Sequence, residues 1–306
     1  MMKKIVSVFL IAFSLCALTF AEEYGLVLSG GGGKGAYEVG VWKAFQEYGI
    51  AQKVTNISGT SVGGLNSALF ACEKMDKIES IWKNQVPTYL TEGDALISQP
   101  GLKKIIDTIP LTKLQYNKFP RVTVTAVQNK NLLTKVIVSL KSQPGSYACR
   151  FCLNEEKSLL EIKNLLMATS AFPGVCKPIK LKDGNEYCDG GFEKAGGDNT
   201  PLEPIASNRS TDFNIKKIFI IYLSNAPKKL FREIDYDRYE LIQIVPSIDL
   251  GNILEGTTNF TASRIELLIN TGYNDTVKVL ENAVRSAPFN VNIALVAGEV
   301  ISDIPK

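Results

Sequence analysis

Histidine is missing from all 306 positions of the chain. Its absence removes the commonest general base, the commonest metal ligand and the usual switch near neutral pH together. Catalysis therefore has to rest on carboxylates, Lys, Tyr, Cys or Ser. A strong excess of either charge is missing as well: 34 Lys and Arg face 31 Asp and Glu, a net +3. That is too little to mark a nucleic-acid surface, which relies on clustered cations. Repeats, low-complexity tracts and Pro- or Gly-rich linkers are also absent, so one domain is expected. With 45% hydrophobic residues, 24 Gly and 13 Pro, the composition is globular rather than disordered or collagen-like.

The chain opens Met1-Met2-Lys3-Lys4, then runs apolar from Ile5 to Phe20 with only Ser7, Ser14 and Thr19 intervening, and reaches Ala21 before Glu22-Glu23. A basic start, an apolar stretch and small residues at Thr19 and Ala21 have the form of a signal peptide cleaved after Ala21. The apolar run is shorter than the roughly 20 residues a membrane span needs. Lipid attachment at Cys16 would place the bulky Leu15 where a small residue is usually wanted. Removing residues 1–21 takes Lys3 and Lys4 with them and leaves 32 basic against 31 acidic residues. The expectation is an exported protein, periplasmic, outer-membrane-associated or secreted. Five cysteines remain, Cys72, Cys149, Cys152, Cys176 and Cys188, and an oxidising destination favours pairing. Cys176 with Cys188, flanking a strand-turn-strand, and Cys149 with Cys152 are the candidate bridges. A single Cys-x-x-Cys without histidine is a poor zinc site, so no metal is expected.

Tyr24–Ser29 reads as a buried strand and Ala36–Tyr48 as a helix with Val39, Trp42 and Phe45 on one face. Val54–Ser58 and Val62–Met75 repeat the strand-turn-helix pattern, the start of a parallel α/β sheet. Arg121–Val127, Leu133–Leu140 and Lys217–Leu223 read as further strands, the last apolar enough to be buried on both faces. Leu102–Ile109, Leu159–Ala168 and Thr258–Ser286 are helical in period, and 287–306 reads as a loosely attached tail.

Two glycine turns carry the chemistry. Gly59-Thr60-Ser61-Val62-Gly63 fits Gly-x-Ser-x-Gly between a predicted strand and a predicted helix, where a sharp turn exposes the serine hydroxyl. Gly30-Gly31-Gly32-Gly33-Lys34-Gly35 also follows a strand and opens a helix, so its amides converge on negative charge. A dinucleotide reading wants an acidic residue about 20 positions on, and Tyr48 to Cys72 holds no Asp or Glu. A nucleoside-triphosphate loop fails because Gly35 stands where its Lys belongs. An oxyanion is the remaining ligand. Without histidine, a carboxylate has to take the proton of Ser61. Asp189 in Asp189-Gly190-Gly191 is the best-placed one, whereas Asp183-Gly184 reads as an ordinary turn.

Taken together, the glycine loop, the Ser61 elbow and Asp189-Gly190-Gly191 resemble the patatin-like phospholipase family. Ala168-Thr169-Ser170-Ala171-Phe172-Pro173-Gly174, Asn199-Thr200-Pro201 and Gly272-Tyr273-Asn274-Asp275-Thr276 extend the likeness, which covers Tyr24 to Asn282. One departure is a longer spacing from Asp189 to Asn199, with an extra Gly196-Gly197. The resemblance implies a three-layer α/β/α sandwich around a mainly parallel central sheet over 22–286. It also implies a Ser–Asp dyad that hydrolyses acyl esters of lipids without a metal or nucleotide cofactor. Ser61 would be the nucleophile, Asp189 the base and the amides of Gly30, Gly31, Gly32 and Gly33 the oxyanion hole. Lys34 is left out as a surface residue opening a helix. The substrate would be a lipid met at a membrane or micelle surface. Leu90, Leu96, Ile97, Leu102, Ile105, Ile106, Ile109 and Leu111 would line or cover an apolar groove, or belong to the core. The competing class is a catalytically inactive lipid-binding or interaction protein, against which the intact Ser61 and Asp189 argue.

Overall fold

The computed structural model describes residues 22–93, 96–118, 120–130, 145–193, 196–206, 214–226, 237–285, 294–296 and 299–301, with side chains to Asn282. The expected leader 1–21 and the expected strand Leu133–Leu140 lie outside the described residues. Among these residues ten strands form one sheet: β1 Glu23–Leu28, β2 Val54–Thr60, β3 Arg121–Gln128, β4 Ala148–Cys152, β5 Ile179–Lys180, β6 Glu186–Asp189, β7 Ile215–Ile221, β8 Glu240–Val245, β9 Ala294–Val296 and β10 Glu299–Ile301. The middle of the sheet, β3-β2-β1-β7-β8-β9, is parallel throughout. Antiparallel strands finish both sides. The stretch read as a tail thus contains β9 and β10.

Alternation along the central strands explains why they are apolar on both faces. Leu26, Leu28, Phe219 and Ile221 point into the larger core, while Val27, Ile218 and Ile220 point into a second one. The larger core is covered by α1 Ala36–Glu47, α2 Val62–Cys72, α3 Met75–Ser80, α4 Val86–Tyr89, α5 Gln99–Thr108, α6 Thr112–Tyr116, α7 Leu159–Thr169 and α9 Ala262–Arg285. The opposite face is covered by Leu202, Ile205 and Ala206 from the short α8 Glu203–Ala206 and its approach. The sandwich expected from the sequence is therefore present, a central sheet flanked by helices.

Differences from the expected elements have local causes. The helix opened by Val62 stops at Cys72, because Glu73 is extended (φ −122°, ψ 159°), and a new one starts at Met75. β8 carries polar Glu240 and Gln243 among its apolar residues, and all five residues of β4 are half-buried. Neither strand announces itself by pattern. The two suggested disulfides are not formed, and all five described cysteines carry thiols. Cys149 and Cys152 are three residues apart on β4, so their side chains leave opposite faces of the strand and cannot meet. Cys176 and Cys188 share a small cluster with Ala171, but the Cys188 thiol donates to the Val127 carbonyl at 3.6 Å instead. No helix among the described residues is long and apolar enough to cross a membrane.

α1 and α9 cross backbone to backbone at two glycines. A Cβ on Gly40 would lie 1.9 Å from the Ile269 carbonyl, and one on Gly272 would lie 2.0 Å from that of Tyr37. Next to this crossing the Tyr37 hydroxyl and the Ser247 amide both donate to buried Asp275. Because the clash is with backbone, Gly40→Ala should force the helices apart and cost about 1–3 kcal/mol. The loss should appear as a lowered urea midpoint in a circular dichroism titration.

Candidate active site

The glycine loop leaves β1, on one edge of β2. Gly32 has φ +56°, and a Cβ there would lie 2.3 Å from the Thr257 carbonyl, so only glycine lets the loop rest backbone to backbone on that segment. The Gly30 amide donates to the Asn199 carbonyl at 3.1 Å. It is therefore committed to the fold, which corrects the expectation that all four amides serve an oxyanion. The amides of Gly31, Gly32 and Gly33 donate to no backbone carbonyl among the described residues. Lys34 is half-buried rather than on the surface, and burial lowers the pKa of its amine.

Ser61 sits where β2 ends and α2 begins, with φ 54° and ψ −124°. It is the one non-glycine residue at positive φ among those described, a strain of about 1–3 kcal/mol. Its neighbours hold it there. The Ser61 amide donates to the Thr169 hydroxyl at 3.0 Å, which itself donates to the Thr125 carbonyl, and the Leu65 amide donates to the Ser61 carbonyl. A Cβ on Gly59 would lie 2.2 Å from the Gly63 carbonyl, so the elbow closes only with glycine at that position.

Asp189 ends β6, which runs antiparallel to β3. Thr60 pairs with Thr125 and Asp189 pairs with Ala126, so consecutive residues of β3 set the serine elbow and the carboxylate side by side. The Ser61 hydroxyl donates to Asp189 Oδ2 at 2.6 Å, and the Gly191 amide donates to Oδ1 at 2.8 Å. Asp189 is 5% exposed. Burial raises its pKa from the ordinary 3.8 to about 6, against the two hydrogen bonds, which favour the charged form.

Other residues of this site were not singled out from the sequence. Asp198 donates its amide to the Gly190 carbonyl, accepts the Thr60 hydroxyl at its own carbonyl and pairs with Arg150 at 3.2 Å. It thereby ties the residue before Ser61 to the residue after Asp189. The long spacing to Asn199 is accommodated as a loop pinned at its base by this Asp198–Gly190 bond. Behind the glycine loop, Asn66 donates to Glu38 and to the Gly35 carbonyl and accepts from Trp82. Glu38 is fully buried, and desolvation pushes its pKa well above the ordinary carboxyl range. A lone Glu in a helical pattern gave no sign of this.

A pocket of about 740 Å³, counting its open mouth, starts at Gly32, Ser61 and Asp189. Its walls are apolar: Leu65, Leu69, Trp82, Val86 and Phe260, with Leu90, Ile97, Leu102, Ile105, Ile106 and Ile109 from the segment expected to form a groove. Those groove residues are also largely buried, so lining and core are the same residues here. Leu111 is core only, and Leu96 is exposed. Among the described residues no three Cys, Asp or Glu gather as metal ligands would.

The profile of the patatin-like phospholipase family matches residues 26–206. This chain belongs to that family. The matched span contains the glycine loop, Ser61 and Asp189, and ends before β7. Among curated proteins, the lysophospholipase nte1 of Aspergillus terreus is 53% identical over 50 residues, 16% of this chain and 3% of that protein. The neuropathy target esterase sws of Drosophila melanogaster is 27% identical over 175 residues, 56% of this chain and 11% of that protein. The chain thus spans a small part of the length of these relatives. Among solved structures, VipD from Legionella pneumophila aligns at 14% identity and TM-score 0.49, over 86% of this chain and 67% of that one. The ExoU–SpcU complex of Pseudomonas aeruginosa aligns at 14% and 0.43, over 87% and 52%.

The raised pKa of Asp189 has a measurable consequence. As pH falls through about 6 the carboxylate takes up a proton and Ser61 loses a charged acceptor, so the rate at which a fluorophosphonate labels Ser61 should fall with it. Because the folded-state pKa exceeds the unfolded value, ionised Asp189 opposes folding at higher pH, and that opposition fades between pH 6 and 3.8. Asp189→Asn should therefore raise Tm at pH 8 and raise it less at pH 5, as read by differential scanning calorimetry.

Proposed function

We propose that this protein is an exported serine hydrolase of lipid carboxylic esters, of phospholipase A or lysophospholipase type, working through a Ser61–Asp189 dyad without metal, nucleotide or other cofactor. The observation that carries the reading is the 2.6 Å hydrogen bond from the Ser61 hydroxyl to a buried carboxylate at the head of an apolar pocket. Family membership and the lysophospholipase relative support a lipid ester as substrate.

In this mechanism an acyl chain lies among Leu65, Leu102, Ile106 and their neighbours, and its ester carbonyl reaches Ser61. Asp189 takes the hydroxyl proton as the Ser61 oxygen bonds to the carbonyl carbon. The developing oxyanion is held by the amides of Gly31, Gly32 and Gly33, fixed in advance against the segment after Gly256. Collapse breaks the bond to the leaving alcohol, which receives the proton from Asp189. Water then repeats the sequence on the acyl-enzyme and frees the acid. A carboxyl with pKa about 6 is a better base than one near 4 and still ionised at neutral pH.

Exposed apolar residues next to the pocket support a lipid surface as the place of work. Leu254 is 68% exposed and Ile253 56%, on the turn that leads to lining residues Thr257 and Phe260. Leu96, 54% exposed, adjoins lining residue Ile97. Export rests on the leader-like residues Met1 to Ala21.

Mass spectrometry of the products from defined phospholipids and lysophospholipids tests the proposal. Ser61→Ala and Asp189→Asn should each lower Ser61-dependent hydrolysis at least about a thousandfold while leaving the circular dichroism spectrum unchanged, and EDTA should have no effect. Near wild-type hydrolysis by Asp189→Asn would sink the dyad. Lipid binding without fluorophosphonate labelling of Ser61 would favour the inactive lipid-binding reading.

A further inference from the structure

Ser170 lies between the two residues that brace the dyad. Thr169 before it accepts the Ser61 amide at its hydroxyl, and Ala171 after it accepts the Asp189 amide at its carbonyl, at 2.9 Å. The Ser170 peptide is therefore held to both functional residues by a single intervening hydrogen bond on each side. The residue lines the same pocket as Ser61 and Asp189 and is 8% exposed, and its buried hydroxyl has no hydrogen-bond partner among the described residues. Buried hydroxyls are normally satisfied, and one left open at a reacting centre calls for a ligand.

We propose that Ser170 is a further catalytic residue whose hydroxyl contacts the oxygen that leaves in acylation and the water that attacks in deacylation; this rests on the hydrolase reading above. The side of the site it occupies selects this role. The glycine loop comes off β1, on one edge of β2, and takes the carbonyl oxygen. Ser170 is tied with Asp189 to β3, on the other edge, through Thr169 to the Thr125 carbonyl and through Asp189 opposite Ala126. The leaving oxygen must lie on the Asp189 side, because Asp189 is the group that protonates it. As the carbon–oxygen bond breaks, the Ser170 O–H donates to that oxygen while the proton taken from Ser61 passes to it from Asp189. When water enters, it gives one proton to Asp189 and donates its other hydrogen to the Ser170 oxygen, which serves as acceptor. A hydroxyl suits both steps, since it donates and accepts.

The test compares two esters of the same acyl chain, one of p-nitrophenol and one of glycerol, with wild type, Ser170→Ala and Ser61→Ala. A p-nitrophenolate departs without help, whereas a glycerol oxygen needs a donor. Ser170→Ala should lower kcat/KM for the glycerol ester about tenfold. It should leave kcat/KM for the aryl ester and the fluorophosphonate labelling rate of Ser61 unchanged, which also shows that the dyad is intact, while kcat for the aryl ester, which contains deacylation of the shared acyl-enzyme, should fall. An equal fall of kcat/KM on both esters would make Ser170 a structural residue, and no fall of kcat/KM or kcat on either would remove it from the chemistry; both overturn the inference and leave the dyad standing. Hydrolysis of neither ester by wild type beyond the Ser61→Ala level would overturn the hydrolase reading and this inference with it.

Discussion

The peptide unit at Thr125–Ala126 is the point on which the site depends. β2 pairs with β3 up to Thr125, and beyond the end of β2 the vacated edge of β3 is taken by β6, running the other way, so that Asp189 falls opposite Ala126. The same Thr125 carbonyl accepts the Thr169 hydroxyl that braces the Ser61 amide. It also lies 2.2 Å from where a Cβ on Gly190 would stand. Serine elbow, carboxylate strand and bracing helix are thus referred to one position of one strand. A register slip of a single residue in β6 would turn Asp189 to the other face of the sheet. The 2.6 Å contact is in this sense a property of sheet register more than of the two side chains.

Electrostatics at the site follow from what is withheld. The shift of Asp189 comes from burial, opposed by the hydrogen bonds from Ser61 and Gly191. Arg150, the cation near this loop, is engaged by Asp198 and Glu203. Had a cation paired with Asp189, its pKa would fall and its basicity with it. Under the proposed mechanism, a carboxylate destabilised in the folded state serves as a base matched to neutral pH. Ser61 adds backbone strain of its own, so two residues unfavourable to folding are neighbours, and the surrounding hydrogen bonds hold both in place.

Legibility in the sequence followed the reach of each signal. Both glycine turns were readable because strand, turn and helix are contiguous, and Gly59 and Gly32 are glycine for reasons of close backbone approach. Asp189 was readable only as a candidate: its placement opposite Ala126 depends on pairing between segments more than 60 residues apart, which no local pattern encodes. The same holds for Asp198 and Arg150, an ion pair assembled from a loop and the half-buried β4. The disulfide expectation failed because it weighed compartment and spacing but not strand faces, which separate Cys149 from Cys152. Gly30 illustrates the limit within a motif, since four glycines look alike in sequence and only the fold commits the first amide to Asn199.

Coupling between the reacting group and the apolar pocket is a matter of helix geometry. Ser61 caps α2, and Leu65 and Leu69 follow it at intervals of four, the spacing that stacks side chains along one face of a helix. All three line the pocket, together with Asn66 on the adjoining stripe. On the proposed function one helix therefore carries both the nucleophile and a wall of the acyl site, and the distance from the hydroxyl to each apolar contact is set by the rise of about 1.5 Å per residue. Asn66 fixes the helix laterally, through Glu38 and the Gly35 carbonyl on one side and Trp82 on the other. Inserting one residue between Gly64 and Leu65 would rotate the apolar stripe by about 100° away from the pocket while leaving the sequence of the elbow itself unaltered. Binding and chemistry are thus kept in step by the period of a single helix, with the buried polar contacts behind the glycine loop holding that helix at its angle to the sheet.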